Sequence, residues 1–484
     1  MKISEILKKF PSIEMIGKDV EVKDLCIKAQ DAKEYDLFIA LEGEKSHGLE
    51  WEKEAISKGA KAVLSNKKGT ENTTYLISKN LREILPFFSF EFYDNPQKGM
   101  NLISITGTTG KTTTAQMIFY GISSFKKAGF IGTTHYQIGK NIIPSSYTTP
   151  YPPLLAKLFF DLKKEQVEYV VMEVSSHSLK QKRVEALKFQ NVIFTNIGRD
   201  HLDFHKTEED YIKSKFHLID LMDEEGTLIY NLDEKKFKNF KDLKVKKITY
   251  SAKEKATVYL ISFKQSKEGS QGTISIDGKK YTFKIPLFGF YNIENFLAAI
   301  SCLYSLNFPI EDILENFKNL PQIKGRLEKV EGGQKFPVIV DYAHTPEGFE
   351  NVLKTIKEIY NLKLITVFGA GGDRDKGKRR ILGEVAGRFS EIVIITTDNP
   401  RSEDPVKICE EIQEGVFASG QDKVLTILDR QKAIEKAIEM ANQNFVVVLL
   451  GKGHENYQIV KDKVYPFSDV KIAIKAIKEF ALGI

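Results

Sequence analysis

Cysteine is scarce in this 484-residue chain: Cys26, Cys302 and Cys409 are all there are, far apart and odd in number. That spacing makes neither a thiolate metal site nor a disulfide framework, and it suits a reducing compartment, so a cytoplasmic location is expected. No apolar run approaches the roughly 20 residues that a membrane span requires, so no span is expected. The opening stretch MKISEILKKFPSIEMIG has no apolar core and no cleavage site, so no signal peptide is expected. A strong charge of one sign is also missing. Basic residues number 71 and acidic ones 65, a net charge of +6 that does not argue for nucleic acid and suits small anionic substrates equally well. There is no fixed-period repeat and no low-complexity segment. What is present is 42% hydrophobic and 28% charged residues, over a length sufficient for three domains with real cores.

The stretch Asn101–Ala115, NLISITGTTGKTTTA, organises the rest. Leu102–Ile105 reads as a strand, a glycine-bracketed turn follows, and then a helix. This order aims backbone N–H groups and a helix dipole at a phosphate. Gly107, Thr108, Thr109 and Gly110 form the loop. Lys111 is the point charge for β and γ phosphates, and Thr112, followed by Thr113, offers a hydroxyl to magnesium. Only two residues separate Gly107 from the Gly-Lys pair, where the common phosphate loop has four. The alternative is a Gly/Thr turn with a solvated lysine, which the flanking strand and helix disfavour.

An α/β fold in three domains is expected. Residues 1–98 read as a small N-terminal α/β domain for the substrate. Residues 99–325 read as a central P-loop ATPase domain with a mostly parallel sheet, carrying strands at Leu102–Ile105, Tyr169–Val174, Val192–Asn196 and Thr227–Asn231. Within it, GTISI and KYTFKI flank Asp277-Gly278 as a hairpin, and Tyr291–Ser305 follows as a helix. Residues 326–484 read as a C-terminal Rossmann-like domain. Its expected strands are Phe336–Asp341, Leu364–Phe368, Ile392–Thr396 and Phe445–Leu450, where ligands gather at the carboxyl ends.

Polar clusters punctuate those strand ends. Glu173 closes YVVMEV ahead of Ser175, and an acid there, near a phosphate loop, can hold magnesium. His201 lies in TNIGRDHLDFH with Asp200 and Asp203. Lys215, in a charged helical stretch, reads by itself as a solvated lysine. Asn292 and Asn295 open a helix, where asparagines commonly cap. Arg326 follows Gly325, and Asp341 and His344 stand in VDYAHTP, where Thr345 can cap. GAGGDRDKGKR carries Arg374, Lys376, Lys378 and Arg379, either as an anion site or as a mobile basic loop. DNPR, from Asp398 through Asn399 and Pro400 to Arg401, offers a guanidinium that can grip a carboxylate bidentately, and GKGHE runs from Gly451 to Glu455.

TGTTGKTTT, TTP, MEVSSH, TNIGRDHLDFH, YNIEN, GR, VDYAHTP, GDRDKGKR, DNPR and GKGHE, in this order over nearly the whole chain, resemble the Mur ligases, and among them the branch that adds the third residue of the peptidoglycan stem peptide. The resemblance implies ATP and Mg2+ as cofactors, with UDP-N-acetylmuramoyl-L-alanyl-D-glutamate and meso-diaminopimelate as substrates. It implies that Lys111 and its loop bind ATP phosphates, and that Asn292, Asn295, Arg326, Asp341 and His344 help hold the nucleotide. Thr112, Glu173, His201 and Lys215 would attend magnesium, Lys215 as the carbamylated N6-carboxylysine. Thr148, Thr149, Ser175, Gln181 and Arg183 match positions that hold the UDP-linked peptide. Arg374, Asp398, Asn399, Pro400, Arg401, Gly451 and Glu455 match the amino-acid site. The sequence departs from the family pattern at Ala29-Gln30-Asp31, where Asp-Ser-Arg is usual, at Thr109 for asparagine, at Tyr151 for aspartate and at Arg380 for proline. Rival readings are a lysine-adding relative, another Mur ligase, a folylpolyglutamate synthase-like ligase, or a nucleotide-dependent binding subunit without ligase activity. A monomer is expected.

Overall fold

The computed structural model describes residues 1–43 and 46–481. By compactness the chain forms two units. The first comprises Met1–Thr106, Phe125–Ile193 and Lys213–Leu228; the second comprises Gly107–Ser124, Phe194–Ile212 and the chain from Ile229 onward. The fold is α/β throughout, as the alternation of apolar runs and amphipathic stretches predicts.

The first unit begins with a five-stranded sheet of β1 (Glu14–Ile16), β2 (Asp24–Cys26), β3 (Asp36–Ala40), β4 (Ala62–Ser65) and β5 (Thr74–Ile77), in the order β1-β5-β4-β3-β2. Only the β1–β5 pair is antiparallel. Every residue of β3, DLFIA, is buried, which is why residues 37–40 after Asp36 read as an unbroken apolar run rather than an alternating one. Asp94 and Asn95 adopt positive φ just after the helix Leu81–Phe92, giving the turn expected of Asp-Asn-Pro.

The same unit continues with β6 (Asn101–Thr106), β7 (Ala128–Ile131), β8 (His135–Ile138), β9 (Asn141–Pro144), β10 (Tyr169–Glu173) and most of β11 (Phe189–Phe194). β10 lies parallel between β6 and β7, with Glu173 opposite Ile105. β7, β8 and β9 form an antiparallel meander that the sequence reading does not contain. They are four residues each, and β9 is exposed along its length, so no apolar periodicity announces them.

β12 (Met222–Asn231) passes from the first unit into the second, which holds β13 (Lys246–Ser251), β14 (Val258–Ser266), β15 (Gly269–Ile276) and β16 (Lys279–Ile285). β15 and β16 pair from Ile276↔Lys279 outward, closed by Asp277 at φ 49° and Gly278 at φ 85°. Two successive positive φ values are what an Asp-Gly hairpin turn requires.

The C-terminal sheet contains β17 (Glu328–Lys329), β18 (Val338–Asp341), β19 (Lys363–Phe368), β20 (Ile392–Ile395), β21 (Val424–Thr426) and β22 (Phe445–Leu450), in the order β17-β18-β22-β19-β20-β21. All its pairs except β17–β18 are parallel. Helices Pro346–Tyr360, Gly377–Phe389 and Pro405–Ala418 bury Leu353, Leu382 and Ile412 on one face, and Arg430–Met440 and Asp469–Ala476 bury Ile434 and Ala473 on the other. This is a doubly wound sheet. Its order sets the loops after β18, β22, β19 and β20 side by side: DYAHTP, GKGHE, GAGGDRDKGKR and DNPR. A short hairpin, β23 (Tyr457–Val460) and β24 (Lys463–Pro466), completes the fold.

Candidate active site

In the first unit the five residues matched to the UDP-linked substrate form one network. Thr149 sits at its centre. Its hydroxyl donates to the Glu173 carbonyl at 2.9 Å and accepts from the Ser175 amide at 3.0 Å. Arg183 donates to the Thr149 carbonyl at 2.7 Å and to Gln181 Oε1 at 2.6 and 3.0 Å. Thr133, which the sequence reading does not single out, joins Thr148 to Glu173. Its hydroxyl lies 3.1 Å from that of Thr148 and 2.8 Å from Glu173 Oε2, while its amide donates to Glu173 Oε1 at 2.8 Å. Glu173 is fully buried, and both its oxygens are oriented by a residue at the end of β7.

Tyr151 acquires a reason in this setting. The buried Arg183 guanidinium lies 3.8 Å from its ring centroid, with the Tyr147 ring 5.5 Å away. Burial lowers the pKa of Arg183, and the two tyrosines oppose that shift. In the same unit Lys215 is 1% exposed, on the last turn of the helix Glu208–Phe216. Its charged neighbours suggest a solvated lysine, and the structure buries it instead. Gln30 and Asp31, in the 3-10 turn Ala29–Asp31, are exposed.

The second unit holds the phosphate loop. The helix Lys111–Ser123 starts from Gly110 at φ 82°, and a Cβ there would collide with Asn295 Oδ1. Glycine is therefore required both by the left-handed backbone and by the approach of Asn295. The loop is braced from the TNIG segment. The amide of Thr109 donates to Asn196 Oδ1 at 2.9 Å, Thr195 donates to the Thr109 carbonyl at 2.7 Å, and the Thr108 hydroxyl accepts from the Gly198 amide at 2.9 Å. Lys111 Nζ donates to the carbonyls of Gly107 and Thr108 at 2.8 and 3.0 Å, and so reaches back over the loop mouth. Thr109, in the place where asparagine is more common, thus keeps the bonding through its amide and its hydroxyl, the latter 3.2 Å from Asn196 Oδ1.

Asn292 and Asn295 do not cap their helix as the sequence suggests. The helix starts at Phe290 from Gly289, so both side chains fall inside it. Asn292 donates to the Phe288 carbonyl at 2.8 Å, and Asn295 Oδ1 accepts from Thr114 at 3.4 Å, against the phosphate loop. Arg326 donates to the Thr112 hydroxyl at 3.3 Å and lies over the Tyr342 ring at 4.7 Å. Asp341 accepts backbone N–H groups of Leu327 and Ala343, both at 2.7 Å. Thr345 caps the next helix, as expected, by accepting from Gly348.

From here the second unit runs on without a break toward the C-terminal loops. Asp200 Oδ2 is 3.3 Å from His201 Nε2 and 3.9 Å from His344 Nε2. Burial works against the charged Asp200, but His201, His344 and Lys378 overcome it and hold its carboxyl below the usual range. Asp203 is 3.7 Å from Arg374 Nη1. Arg401 donates to the Gly372 carbonyl at 2.6 Å, and its backbone pairs with β23 through Ile459 and Lys461. Burial and then Arg374 disfavour the Arg401 charge, while Asp398, Glu455 and Tyr457 oppose that shift. Asn399 Nδ2 donates to Glu455 Oε2 at 3.0 Å. A Cβ on Gly451, at φ 103°, would meet Asp398 Oδ2 at 2.7 Å. Two arginines, two carboxylates and an amide therefore converge in one unit, as the placement of DNPR, GDRDKGKR and GKGHE after neighbouring strands anticipates.

Residues 105–303 match the model of the Mur ligase middle domain, and residues 325–453 that of the Mur ligase glutamate ligase domain. The chain is 38% identical over 483 residues to the UDP-N-acetylmuramoyl-L-alanyl-D-glutamate--2,6-diaminopimelate ligase of Caldanaerobacter subterraneus subsp. tengcongensis, covering 99% of both chains. The chain belongs to the Mur ligase family. A Clostridium acetobutylicum protein, UDP-N-acetylmuramoyl-L-alanyl-D-glutamate--2,6-diaminopimelate ligase 1, is 40% identical, with 95% of this chain and 96% of that one covered. A solved structure of a UDP-N-acetylmuramoyl-L-alanyl-D-glutamate--2,6-diaminopimelate ligase superposes with a TM-score of 0.64 at 29% identity, covering 99% of each chain. MurF from Thermotoga maritima, solved with ADP, shares the fold at 16% identity, with a TM-score of 0.68 and coverage of 95% and 97%.

This Mur ligase also carries contacts that motif reading does not reach. Arg379 is fully buried and pairs with Glu403 at 2.9 Å and Glu411 at 2.8 Å. Glu403 also accepts from the Asp373 amide at 2.6 Å, and Ser402 donates to Asp373 at 2.6 Å. The loops bearing Arg374 and Arg401 are clipped together by these bonds. Among the described residues no three His, Cys, Asp or Glu side chains stand together as a metal cluster. The first unit carries the buried Glu173 carboxylate and a buried Lys215 that carbamylation would turn into an oxygen donor, and the second carries the Thr112 hydroxyl and the His201 ring; each is a donor type that suits a hard cation.

Proposed function

We propose that this Mur ligase joins meso-diaminopimelate to UDP-N-acetylmuramoyl-L-alanyl-D-glutamate, cleaving ATP to ADP and phosphate through an acyl phosphate. What supports the reading is the cluster of loops at the C-terminal sheet edge. Arg401 and Arg374 offer guanidiniums to a carboxylate, and Asp398, Asn399 and Glu455 offer oxygens to an ammonium. A ligand with an amino-acid head at its far end satisfies both sets. Lysine, whose far end is a bare ammonium, brings no carboxylate to the arginines, so the lysine-adding reading is the weaker one.

The loop amides and Lys111 hold the ATP phosphates, while Asn292, Asn295, Arg326, Asp341 and His344 hold the rest of the nucleotide. Thr148, Thr149, Ser175, Gln181 and Arg183 seat the UDP-linked peptide. Residues 1–98, 99–325 and 326–484 divide the work as UDP-substrate, ATP and amino-acid domains. Thr112, Glu173, His201 and a carbamylated Lys215 are the residues that would attend magnesium, which would neutralise phosphate charge when bound. A D-glutamate carboxylate oxygen attacks the γ-phosphorus, and the bond to ADP breaks. Lys111 offsets the charge on the transferring phosphoryl group. The amine of diaminopimelate then attacks the acyl carbon, loses a proton, and phosphate leaves. No side chain becomes covalently attached, so positioning and electrostatics carry the acceleration. The enzyme works as a cytoplasmic monomer.

The test is an ADP-release assay with a panel of amines in the presence of the UDP-linked dipeptide. Diaminopimelate is expected to exceed L-lysine by about 100-fold or more in kcat/KM, as a lost bidentate carboxylate contact implies. Lysine turning over faster than diaminopimelate would overturn the assignment.

A further inference from the structure

The amino-acid pocket contains a cation of its own. Lys452, in GKGHE, is 0% exposed, and its ammonium donates to Glu455 Oε2 at 2.9 Å and to Asn399 Oδ1 at 3.2 Å. Asp398 Oδ1 lies 3.7 Å away. Asn399 Oδ1 also accepts from the Ile459 amide at 2.9 Å, so its amide group is fixed with the NH2 turned to Glu455. A buried lysine is costly unless paired, and this one is paired twice with groups that the proposed function assigns to the ligand.

We propose that Lys452 is a specificity-determining positioning residue, an internal counter-cation that holds Glu455, Asn399 and Asp398 in place and leaves this wall of the pocket with one negative charge in excess. The inference rests on the reading that this pocket takes the amine substrate. Asp398 and Glu455 contribute two negative charges and Lys452 one positive, so one incoming ammonium completes the wall. Arg401, which also feels the charge of Asp398 and Glu455, and Arg374 are the cations a carboxylate would meet. The pocket is thereby set for a zwitterionic head rather than a lone ammonium. Without Lys452, two carboxylates would face each other with little water. Glu455 would then lose its charge to a proton or attract any cation, and a bare ammonium would compete better.

The experiment compares Lys452→Met, Lys452→Gln, Lys452→Arg and Arg401→Ala in the full-length enzyme by ADP release. KM is measured separately for diaminopimelate, ATP and the UDP-linked dipeptide. Both neutral variants are expected to raise the diaminopimelate KM at least tenfold and to lower the diaminopimelate-to-lysine preference at least fivefold. KM for ATP and for the dipeptide should stay within twofold, and Lys452→Arg should recover most of the loss. An unchanged diaminopimelate KM alongside a raised one in Arg401→Ala overturns the role of Lys452 and leaves the pocket assignment standing. No change in any of the four variants overturns both. A parallel rise of all three KM values marks a general structural role and also overturns the proposal. If the neutral variants fold only when Glu455→Gln is added, the counter-charge role is supported; if they fail to fold even then, it is refuted.

Discussion

Lys215 and Tyr151 show how far a single residue can be read without its surroundings. Lys215 sits among charged neighbours and reads as solvated, yet it is buried. Only the family resemblance marks it beforehand, because a helix that carries Glu208, Glu209 and Asp210 in its first turn gives no sign of which face is covered. Its proposed carbamylation yields a sharp expectation. Lys215→Ala loses about 100-fold or more of kcat, the scale on which removal of one electrostatic group at a reacting centre acts. Adding a short-chain carboxylic acid restores part of the loss. Full activity of Lys215→Ala in an ADP-release assay would remove the residue from the reaction. Tyr151 is the reverse case, a departure from the family pattern that the structure explains through its stacking on Arg183 at 3.8 Å. A cation–π contact at a largely desolvated site contributes about 1–2 kcal/mol. Tyr151→Ala is therefore expected to raise KM for the UDP-linked dipeptide by about 5- to 30-fold, with kcat and the amine KM unchanged. A fall in kcat alone would contradict a role in seating that substrate.

At the scale of elements, strands buried on both faces were legible and short exposed ones were not. β3, β6, β10, β19 and β22 read as largely apolar runs because nearly every residue in them is buried. β7 to β9 carry too few residues to show a period, and β13 and β14 alternate only in part. The loops after β18, β19, β20 and β22 were legible as one polar edge, since the doubly wound pattern dictates which strand ends are neighbours. The clip that holds two of those loops was not. Arg379 reads as one more basic residue of GDRDKGKR, and Glu403 as one acid of SED, and nothing in spacing pairs them. The clip predicts a contrast between adjacent arginines. Arg379→Met takes the buried cation from Glu403 and Glu411, and since both carboxylates keep access to water the loss is about 1–2 kcal/mol. A lower melting temperature and a several-fold higher diaminopimelate KM are expected. Arg380→Met, which loses only an exposed pair with Glu384 at 3.3 Å, should change neither. The pH dependence follows from Glu403, whose carboxyl is held down at about 2, first by Arg379. A depressed carboxyl pKa contributes stability above its unfolded value of about 4.3 and loses it as pH falls toward 2. The clip is thus intact across pH 6–9, and amine affinity there should not vary on its account. Glu403→Gln should flatten the acid limb of a stability profile between about pH 4.5 and 2.

Across the whole molecule the scarcity of cysteine becomes a statement about chemistry as well as composition. All three thiols are free, and all are buried: Cys26 is 7% exposed, Cys409 1% and Cys302 0%. Burial, helped by nearby carboxylates at Cys26 and Cys409, pushes those two thiols up to about 11, and burial alone raises Cys302 further still. The thiolate is the reactive species, so each thiol is protected twice, by lack of access and by lack of charge. The three also lie in separate stretches, Cys26 at the end of β2, Cys302 inside the helix Phe290–Ser305 and Cys409 inside Pro405–Ala418. Their reactivity therefore reports on the integrity of three different parts of the fold. Native enzyme treated with an aromatic disulfide at pH 8 should take up close to no label over the minutes in which a free thiol reacts fully, and three equivalents once unfolded in guanidinium. Labelling that grows in slowly should track opening of the cores rather than a reaction of the closed state. Rapid uptake of one equivalent by the native protein, with activity retained, would show that at least one of these thiols is accessible and ionised in the folded chain, against both the burial and the direction of its shift.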